Sequence, residues 1–115
     1  MKFHKVCKKS DVPKGEMRFY KVAGQGLVIY HLGKSFHATQ SNCTHMFAPL
    51  ARGKIVDGCE VQCPLHRARF DIASGEVVEW ANFPPGIQLL NAVRSRKKLR
   101  TFEVEVRADE VFVKI

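Results

Sequence analysis

Two cysteine–histidine pairs are the residues of this sequence best suited to carry chemistry. The first pair lies in Cys43-Thr44-His45, and the second follows seventeen residues later in Cys63-Pro64-Leu65-His66. Thiolate and imidazole ligands suit zinc, copper or iron–sulfur centres better than hard cations. The pattern therefore predicts one metal centre whose ligands come from two separate loops.

The order of the ligands helps to separate these metals. A zinc finger groups its two cysteines together and its two histidines together, with the histidines on a helix. Here each loop supplies one ligand of each kind, and no helical pattern follows. Interleaved pairs favour a two-iron cluster, with the cysteines on one iron and the histidines on the other. The alternative is a zinc-stabilised module that binds nucleic acid.

The elements that position these loops are predicted to be short β-strands. Residues 17–22 and 27–30 flank a turn at 23–26, Asp57-Gly58 indicates a hairpin, and apolar residues alternate in 102–106. This pattern predicts an all-β antiparallel sandwich or partly open barrel. Segments 40–54 and 63–86 are predicted to be loops, and short helical turns are considered at 11–15 and 86–94.

Composition limits the possible partners and compartments. The chain has 115 residues, 45% of them hydrophobic, and no apolar run long enough to span a membrane. No signal peptide is recognised, so we expect a cytoplasmic protein. The net charge of +8 favours acidic partners. Five of the seven residues in 94–100 are basic, which predicts either a solvated loop or a docking site for an acidic protein; nucleic acid is the least favoured partner.

The motif C-x-H-x17-C-x-x-H resembles the signature of the Rieske family. Flanking segments are also similar to that family: 36–39, 69–76, 83–86, 101–106 and 110–113. The segment 83–86 resembles a proline loop that covers the cluster in this family. The chain is most similar to the small ferredoxins that feed electrons to multicomponent ring-hydroxylating oxygenases.

This resemblance implies one [2Fe–2S] cluster per chain. Cys43 and Cys63 would bind the inner iron, and His45 and His66 the outer iron. Residues 1–115 would form a single Rieske domain with an inserted cluster-binding subdomain at roughly 40–86. The protein would be an electron carrier, not an enzyme, taking electrons from a flavin-dependent reductase and passing them to a terminal oxygenase. The alternative is a small redox subunit of another oxidoreductase, such as a nitrite reductase.

Several positions depart from the Rieske subunits of cytochrome bc complexes. Ala48 and Leu65 stand where those proteins carry a disulfide, and Ala68 and Phe70 stand where they carry hydroxyl donors. Arg67 replaces the usual glycine after the second histidine. We therefore expect a midpoint potential at the low end of the family range.

The remaining cysteines, histidines and tryptophan are predicted to be structural. Cys7 and Cys59 are predicted to be buried apolar residues. The histidines outside the motif are expected to be ordinary strand or surface residues, and Trp80 is expected to pack in the core or a lid; these are His4, His31, His37 and Trp80.

Overall fold

Short strands joined by tight turns form three antiparallel sheets. The computed structural model describes residues 2–43, 48–64, 67–79 and 98–115. Within these ranges the strands are β1 (Phe3–Lys8), β2 (Met17–Val22), β3 (Gln25–Leu32), β4 (Ser35–Gln40), β5 (Lys54–Val56), β6 (Glu60–Gln62), β7 (Arg69–Asp71), β8 (Val77–Glu79), β9 (Thr101–Phe102), β10 (Val104–Arg107) and β11 (Glu110–Lys114). Two 3-10 turns lie at Lys9–Asp11 and Leu50–Arg52. The all-β prediction is confirmed.

Each sheet has its own strand order. The terminal sheet runs β1-β11-β10, the central sheet β2-β3-β4-β9, and the loop sheet β5-β6-β7-β8. Every strand pair in these sheets is antiparallel. The loop sheet carries the second cysteine–histidine loop between β6 and β7.

Tight turns with positive φ connect the hairpins. Ala23 and Gly24 have φ values of 51° and 79° between β2 and β3, and Asp57 and Gly58 have 53° and 70° between β5 and β6. Hairpin turns of this kind match the right-handed twist of the strands that they join. The Asp57-Gly58 turn is where the sequence predicts it, and the first turn is shorter than the predicted 23–26 because β3 begins at Gln25.

Strand β3 separates two hydrophobic cores. Successive side chains of a strand point to opposite faces of the sheet. Leu27 and Ile29 pack with the terminal sheet, whereas Val28 and Tyr30 pack in the core that contains Cys43 and Cys63. All four β3 side chains are fully buried.

Two details of the sequence prediction are corrected. The short helical turn lies at Lys9–Asp11, not at 11–15, because the Asp11 carboxylate accepts the Lys8 backbone N–H at 2.9 Å and caps that turn. The segment 63–86 is not entirely loop, because β7 and β8 lie within it. Three-residue strands are too short to show a period-two pattern. The helical turn considered at 86–94 and the proline loop at 83–86 lie outside the described residues.

No helix in the described ranges is long and apolar enough to cross a membrane.

Candidate metal centre

The first cysteine loop begins where β4 leaves the central sheet. Asn42 and Pro49 form an isolated antiparallel bridge. Inside it, the backbone N–H of Cys43 donates to the carbonyl of Ala48 at 2.7 Å. The Cys43 side chain is fully buried. The predicted ligand His45 belongs to this loop but lies outside the described residues.

The second cysteine loop is closed in the same way. It leaves β6 at Cys63, whose backbone N–H donates to the carbonyl of Ala68 at 2.7 Å. Cys63 and Ala68 are both fully buried. The chain then enters β7 at Arg69. The predicted ligand His66 lies in this loop and also outside the described residues.

The two loops therefore share one backbone design. In each, a buried cysteine opens a C-x4-A segment and its N–H is bonded to the carbonyl of the alanine. The C-x4-A repeat is present in the sequence even though the cysteine–histidine spacing differs between the two loops. The alanines Ala48 and Ala68 are thus structural parts of the site that sequence reasoning missed.

Both cysteines belong to one apolar core. The other members of this core are Val28, Tyr30, Ala48, Leu50, Val61, Ala68, Phe70, Ile72 and Leu99. The thiolate is the form of cysteine that binds metals, and here two cysteines share one water-excluded core. Two buried thiols presented by twin loops fit the thiolate half of a two-iron cluster.

The complete ligand set stays a prediction. Among the described residues no group of three His, Cys, Asp or Glu side chains could hold a metal ion, and the two predicted histidine ligands are not among these residues. Of the positions that depart from the cytochrome bc subunits, Ala48, Ala68 and Phe70 are buried around the cysteines, so they supply packing and no side-chain donor. Leu65 lies outside the described residues.

Gly53 brings β5 close to the second loop. A Cβ atom at Gly53 would lie 1.9 Å from the backbone oxygen of Gln62, the residue that precedes Cys63. Only glycine avoids this overlap, because real Cβ atoms do not approach an oxygen so closely. Gly53 therefore sets the spacing of the strands beside Cys63, and nothing in the local sequence indicated this role.

Arg69 is held by carboxylates on both neighbouring strands. Its Nη2 lies 2.5 Å from Glu79 Oε2, and its Nη1 lies 3.5 Å from Glu60 Oε1. The hydrogen bond to Glu79 raises the pKa of Arg69 above its usual value, with further contributions from nearby carboxylates. The positive charge of Arg69 is therefore balanced by carboxylates of its own sheet.

Arg67 has an unusual backbone. Its φ is 58°, in the left-handed region that favours glycine. Arginine at position 67 therefore raises the conformational energy of the backbone relative to the usual glycine, because a residue with a Cβ is strained at this φ.

The cysteines and histidines outside the motif take varied positions. Cys7 is buried in the second core, and burial raises the pKa of its thiol. Cys59 is exposed, so the prediction that it is buried was wrong. His31 donates through Nδ1 to the Val12 carbonyl at 2.8 Å, and His37 is hydrogen-bonded through Nε2 to Ser35 Oγ at 2.9 Å. Both lie in strands, as does His4; Trp80 lies outside the described residues.

The described part of the basic segment is anchored. Leu99 is buried, and its backbone N–H donates to the Gly75 carbonyl at 2.8 Å. The Lys98 ammonium lies 3.7 Å from a Glu76 carboxylate oxygen, and the Arg100 guanidinium lies over the Phe102 ring. Lys98 and Arg100 are exposed and lie outside the strands, as expected for a solvated loop, whereas Leu99 is buried. Residues 94–97 lie outside the described residues.

Comparison with known proteins identifies the family. Residues 2–103 match the model of the Rieske [2Fe-2S] domain. The ferredoxin CarAc of Metapseudomonas resinovorans is 34% identical over 110 residues, covering 95% of this chain and 90% of the relative.

Solved structures agree with this match. A complex of reduced oxygenase and oxidized ferredoxin in carbazole 1,9a-dioxygenase contains a chain that is 34% identical, with a TM-score of 0.75, covering 96% of this chain and 91% of that chain. The ferredoxin of carbazole 1,9a-dioxygenase from Nocardioides aromaticivorans IC177 has a TM-score of 0.80 at 24% identity, covering 98% and 97%; it supports the fold alone.

Proposed function

Because this chain belongs to the Rieske [2Fe–2S] family, we propose that it is the ferredoxin component of a ring-hydroxylating dioxygenase system. It holds one [2Fe–2S] cluster and carries electrons; it is not itself the catalyst. The observation that carries the proposal is the match of nearly the whole chain to a ferredoxin component, combined with the buried cysteine in each of two loops of the same design.

The proposed ligands are the two cysteine–histidine pairs. Cys43 and Cys63 would hold the buried iron, and His45 and His66 the other iron. When bound, the cluster accepts and releases one electron, and neutral imidazole ligands make that electron easier to accept than four thiolates would. The chain's own contribution is to exclude water from the sulfur ligands with the apolar core and to fix their backbones with the Ala48 and Ala68 carbonyls.

We assign the chain to a single domain of 115 residues. Its cluster-binding subdomain would cover roughly 40–86. The loop sheet supports this assignment, since β5 to β8 and both cysteine loops lie within that range.

The proposed partners follow from the family. A flavin-dependent reductase would donate electrons, and a terminal oxygenase with an acidic docking face would accept them. The pairing with an oxygenase is supported by the relative that is found in complex with one. The cytoplasm is the proposed compartment, and the free thiols of all four cysteines support it.

Metal analysis tests the ligand set. The purified protein should contain about two irons and two labile sulfides per chain and give the EPR signal of a nitrogen-ligated cluster when reduced. Cys63→Ser and His45→Ala should lose most of the iron, whereas the matched controls Cys59→Ser and His37→Ala should keep it. One zinc and no iron after anaerobic expression would contradict the ligand assignment.

Electron transfer tests the function. The holoprotein should be reduced by a flavin reductase and NADH, and should then reduce a ring-hydroxylating oxygenase in a single-turnover stopped-flow measurement. The expected result is oxidation of the reduced protein together with formation of hydroxylated product. A reduced protein that transfers electrons to none of a panel of such oxygenases would refute the proposal.

A further inference from the structure

We propose that a cationic cleft beside the Cys63 loop binds carboxylate groups on the surface of the electron-transfer partner. The cleft is formed by Arg52, Lys54 and Arg67. The inference rests on the proposed function, because it names the chemistry by which a protein partner recognises the cluster end of the molecule.

The cleft lies directly against the second cysteine loop. Its volume is about 280 Å³, and the described residues that line it are Arg52, Gly53, Lys54, Gln62, Cys63, Pro64 and Arg67. The charged side chains in this set are all cationic and all exposed. The cleft is therefore lined by three cationic residues next to a proposed cluster ligand.

Positive and negative side chains of the loop sheet are concentrated at opposite ends of its strands. At the end that carries the cysteine loop, Lys54 pairs with Gln62 and Gln62 pairs with Arg69 across neighbouring strands. Carboxylates lie towards the opposite end of the same sheet, at Asp57, Asp71 and Glu76. Because the charges are separated in this way, the cysteine end presents a positive potential to an approaching protein.

The carboxylates nearest to the cleft are already paired. Glu79 lies at the cysteine end but binds Arg69 at 2.5 Å. Glu16 shares a neighbouring groove with Lys54 but lies 2.8 Å from Arg18. In the part of the chain that the structure describes, Arg52 and Lys54 are in no ion pair. All the aspartates and glutamates of the sequence lie in that part, so the two charges remain available to a partner.

The backbone of Arg67 adds an independent argument. Among the described residues, the other non-glycine positions with positive φ are Ala23, Asp57 and Ala108, each in a hairpin turn. Arg67 is instead in the cysteine loop, where glycine would relieve the strain. Strain that persists at such a position indicates a use for the side chain, and Arg67 is one of the residues that line the cleft.

Carboxylates of a folded protein are the ligand that fits these features. Arginine binds carboxylates with two parallel hydrogen bonds, and two arginines and a lysine can engage a short acidic surface segment. Complementary charges of this kind orient partners and speed their encounter. In this position they would bring an acceptor to the end of the molecule that holds the cluster.

The first experiment measures carboxylate binding directly. Fluorescein-labelled hexaglutamate is titrated into the oxidised holoprotein, and fluorescence anisotropy gives the affinity. The double variant Arg52→Gln/Lys54→Gln should bind about ten-fold more weakly. The matched control Lys2→Gln/Lys9→Gln loses the same charge at one end of β1 and the turn that follows it, and should change the affinity less than about two-fold. Equal weakening in both variants would overturn the proposal in favour of net charge alone.

The second experiment separates this proposal from the proposed function. Electron transfer from the reduced holoprotein to the oxygenase is measured by stopped flow between about 20 and about 500 mM salt. The cleft variant should transfer more slowly at low salt and converge with wild type at high salt, with an unchanged cluster spectrum. Transfer by this variant at the wild-type rate throughout would refute the cleft while leaving the carrier function intact. Failure of every variant to transfer would refute the function, and the peptide titration would still decide the cleft. Tighter binding of a labelled thymidine hexanucleotide than of hexaglutamate would overturn the choice of a protein carboxylate.

Discussion

Because the backbone at Arg67 is strained, we expect glycine to be more stable than alanine at this position, which is the reverse of the usual order. Arg67→Gly and Arg67→Ala remove the same side-chain contacts, so their difference reports the backbone alone. In an ordinary helix or strand glycine is less stable than alanine by about 0.5–1 kcal/mol, because it loses more conformational entropy on folding. At a φ of 58° the Cβ of alanine is strained, so the glycine variant should be the more stable of the two.

The magnitude follows from these two opposing terms. The left-handed conformation costs a residue with a Cβ roughly 1–2 kcal/mol. Subtracting the roughly 0.5–1 kcal/mol entropy cost of glycine leaves the Arg67→Gly variant more stable than Arg67→Ala by about 0.5–1 kcal/mol. For a domain of this size, a difference of that order corresponds to a few degrees in melting temperature, about 2–5 °C.

Thermal unfolding followed by circular dichroism, at one scan rate and in the oxidised holoprotein, measures the difference. Lys34, which is exposed and outside the positive-φ set, supplies the matched pair: there alanine should be more stable than glycine. Ala23→Gly, at φ 51°, should stabilise the protein in the same way as glycine at position 67. An Arg67→Ala variant as stable as Arg67→Gly would refute the strain, and with it one argument for the cationic cleft.

Three further outcomes are expected. Gly53→Ala should destabilise the protein by about 3 kcal/mol and lower its iron content, because the added Cβ would lie 1.9 Å from the Gln62 oxygen. In Gly26→Ala the nearest atom to the new Cβ is the Ser41 hydroxyl at 2.7 Å, which can rotate away, and the Phe19 ring and Ser41 Cβ lie at 3.4 Å, so unfolding curves should show a loss below about 1 kcal/mol. Phe70→Tyr should raise the midpoint potential by roughly 40–90 mV, the equivalent of about 1–2 kcal/mol for one electron, since a hydroxyl donor favours the more negative reduced cluster; voltammetry showing no rise would mean that the hydroxyl does not reach a sulfur. Burial lowers the pKa of His37, so this residue costs stability as the pH falls below about 6.5 towards its folded-state pKa; His37→Gln should flatten the decline of the melting temperature in that range, and an identical profile would contradict this assignment.

Much of the scaffold could be predicted because its turns carry strong local signals. Ala23-Gly24 and Asp57-Gly58 adopt the positive φ values that tight hairpins need, and they frame β2, β3, β5 and β6. By contrast, β7 and β8 were assigned to a loop because three residues are too few to show alternation. These strands exist because their neighbours supply hydrogen-bond partners, which is information that no short window of sequence contains.

The candidate site also has a part that the sequence predicted and a part that it could not predict. The donor types and their spacing indicated the metal centre, and the structure buries Cys43 and Cys63 in one core. The cationic cleft could not be predicted, because Arg52 and Arg67 are brought together only by the pairing of β5 with β6 and the return of the chain after Cys63. Sequence reasoning considered docking charges only at 94–100, as the alternative to a solvated loop, because a run of basic residues is visible there.

Successive side chains of β3 belong to different hydrophobic cores, so the terminal sheet and the loop sheet can change independently. Leu27 and Ile29 serve the core against the terminal sheet, and Val28 and Tyr30 serve the core that holds the cysteines. Evolution could therefore change the loop sheet, and with it the choice of partner, through substitutions on the face of β3 that packs in the cysteine core. The opposite face of β3 would still pack against the terminal sheet. The same property makes this protein a suitable recipient for grafting: a loop sheet from a related ferredoxin could be joined at β4 and β9 without redesign of the terminal sheet. Diversity of partners and constancy of architecture would then arise from one strand that two cores share.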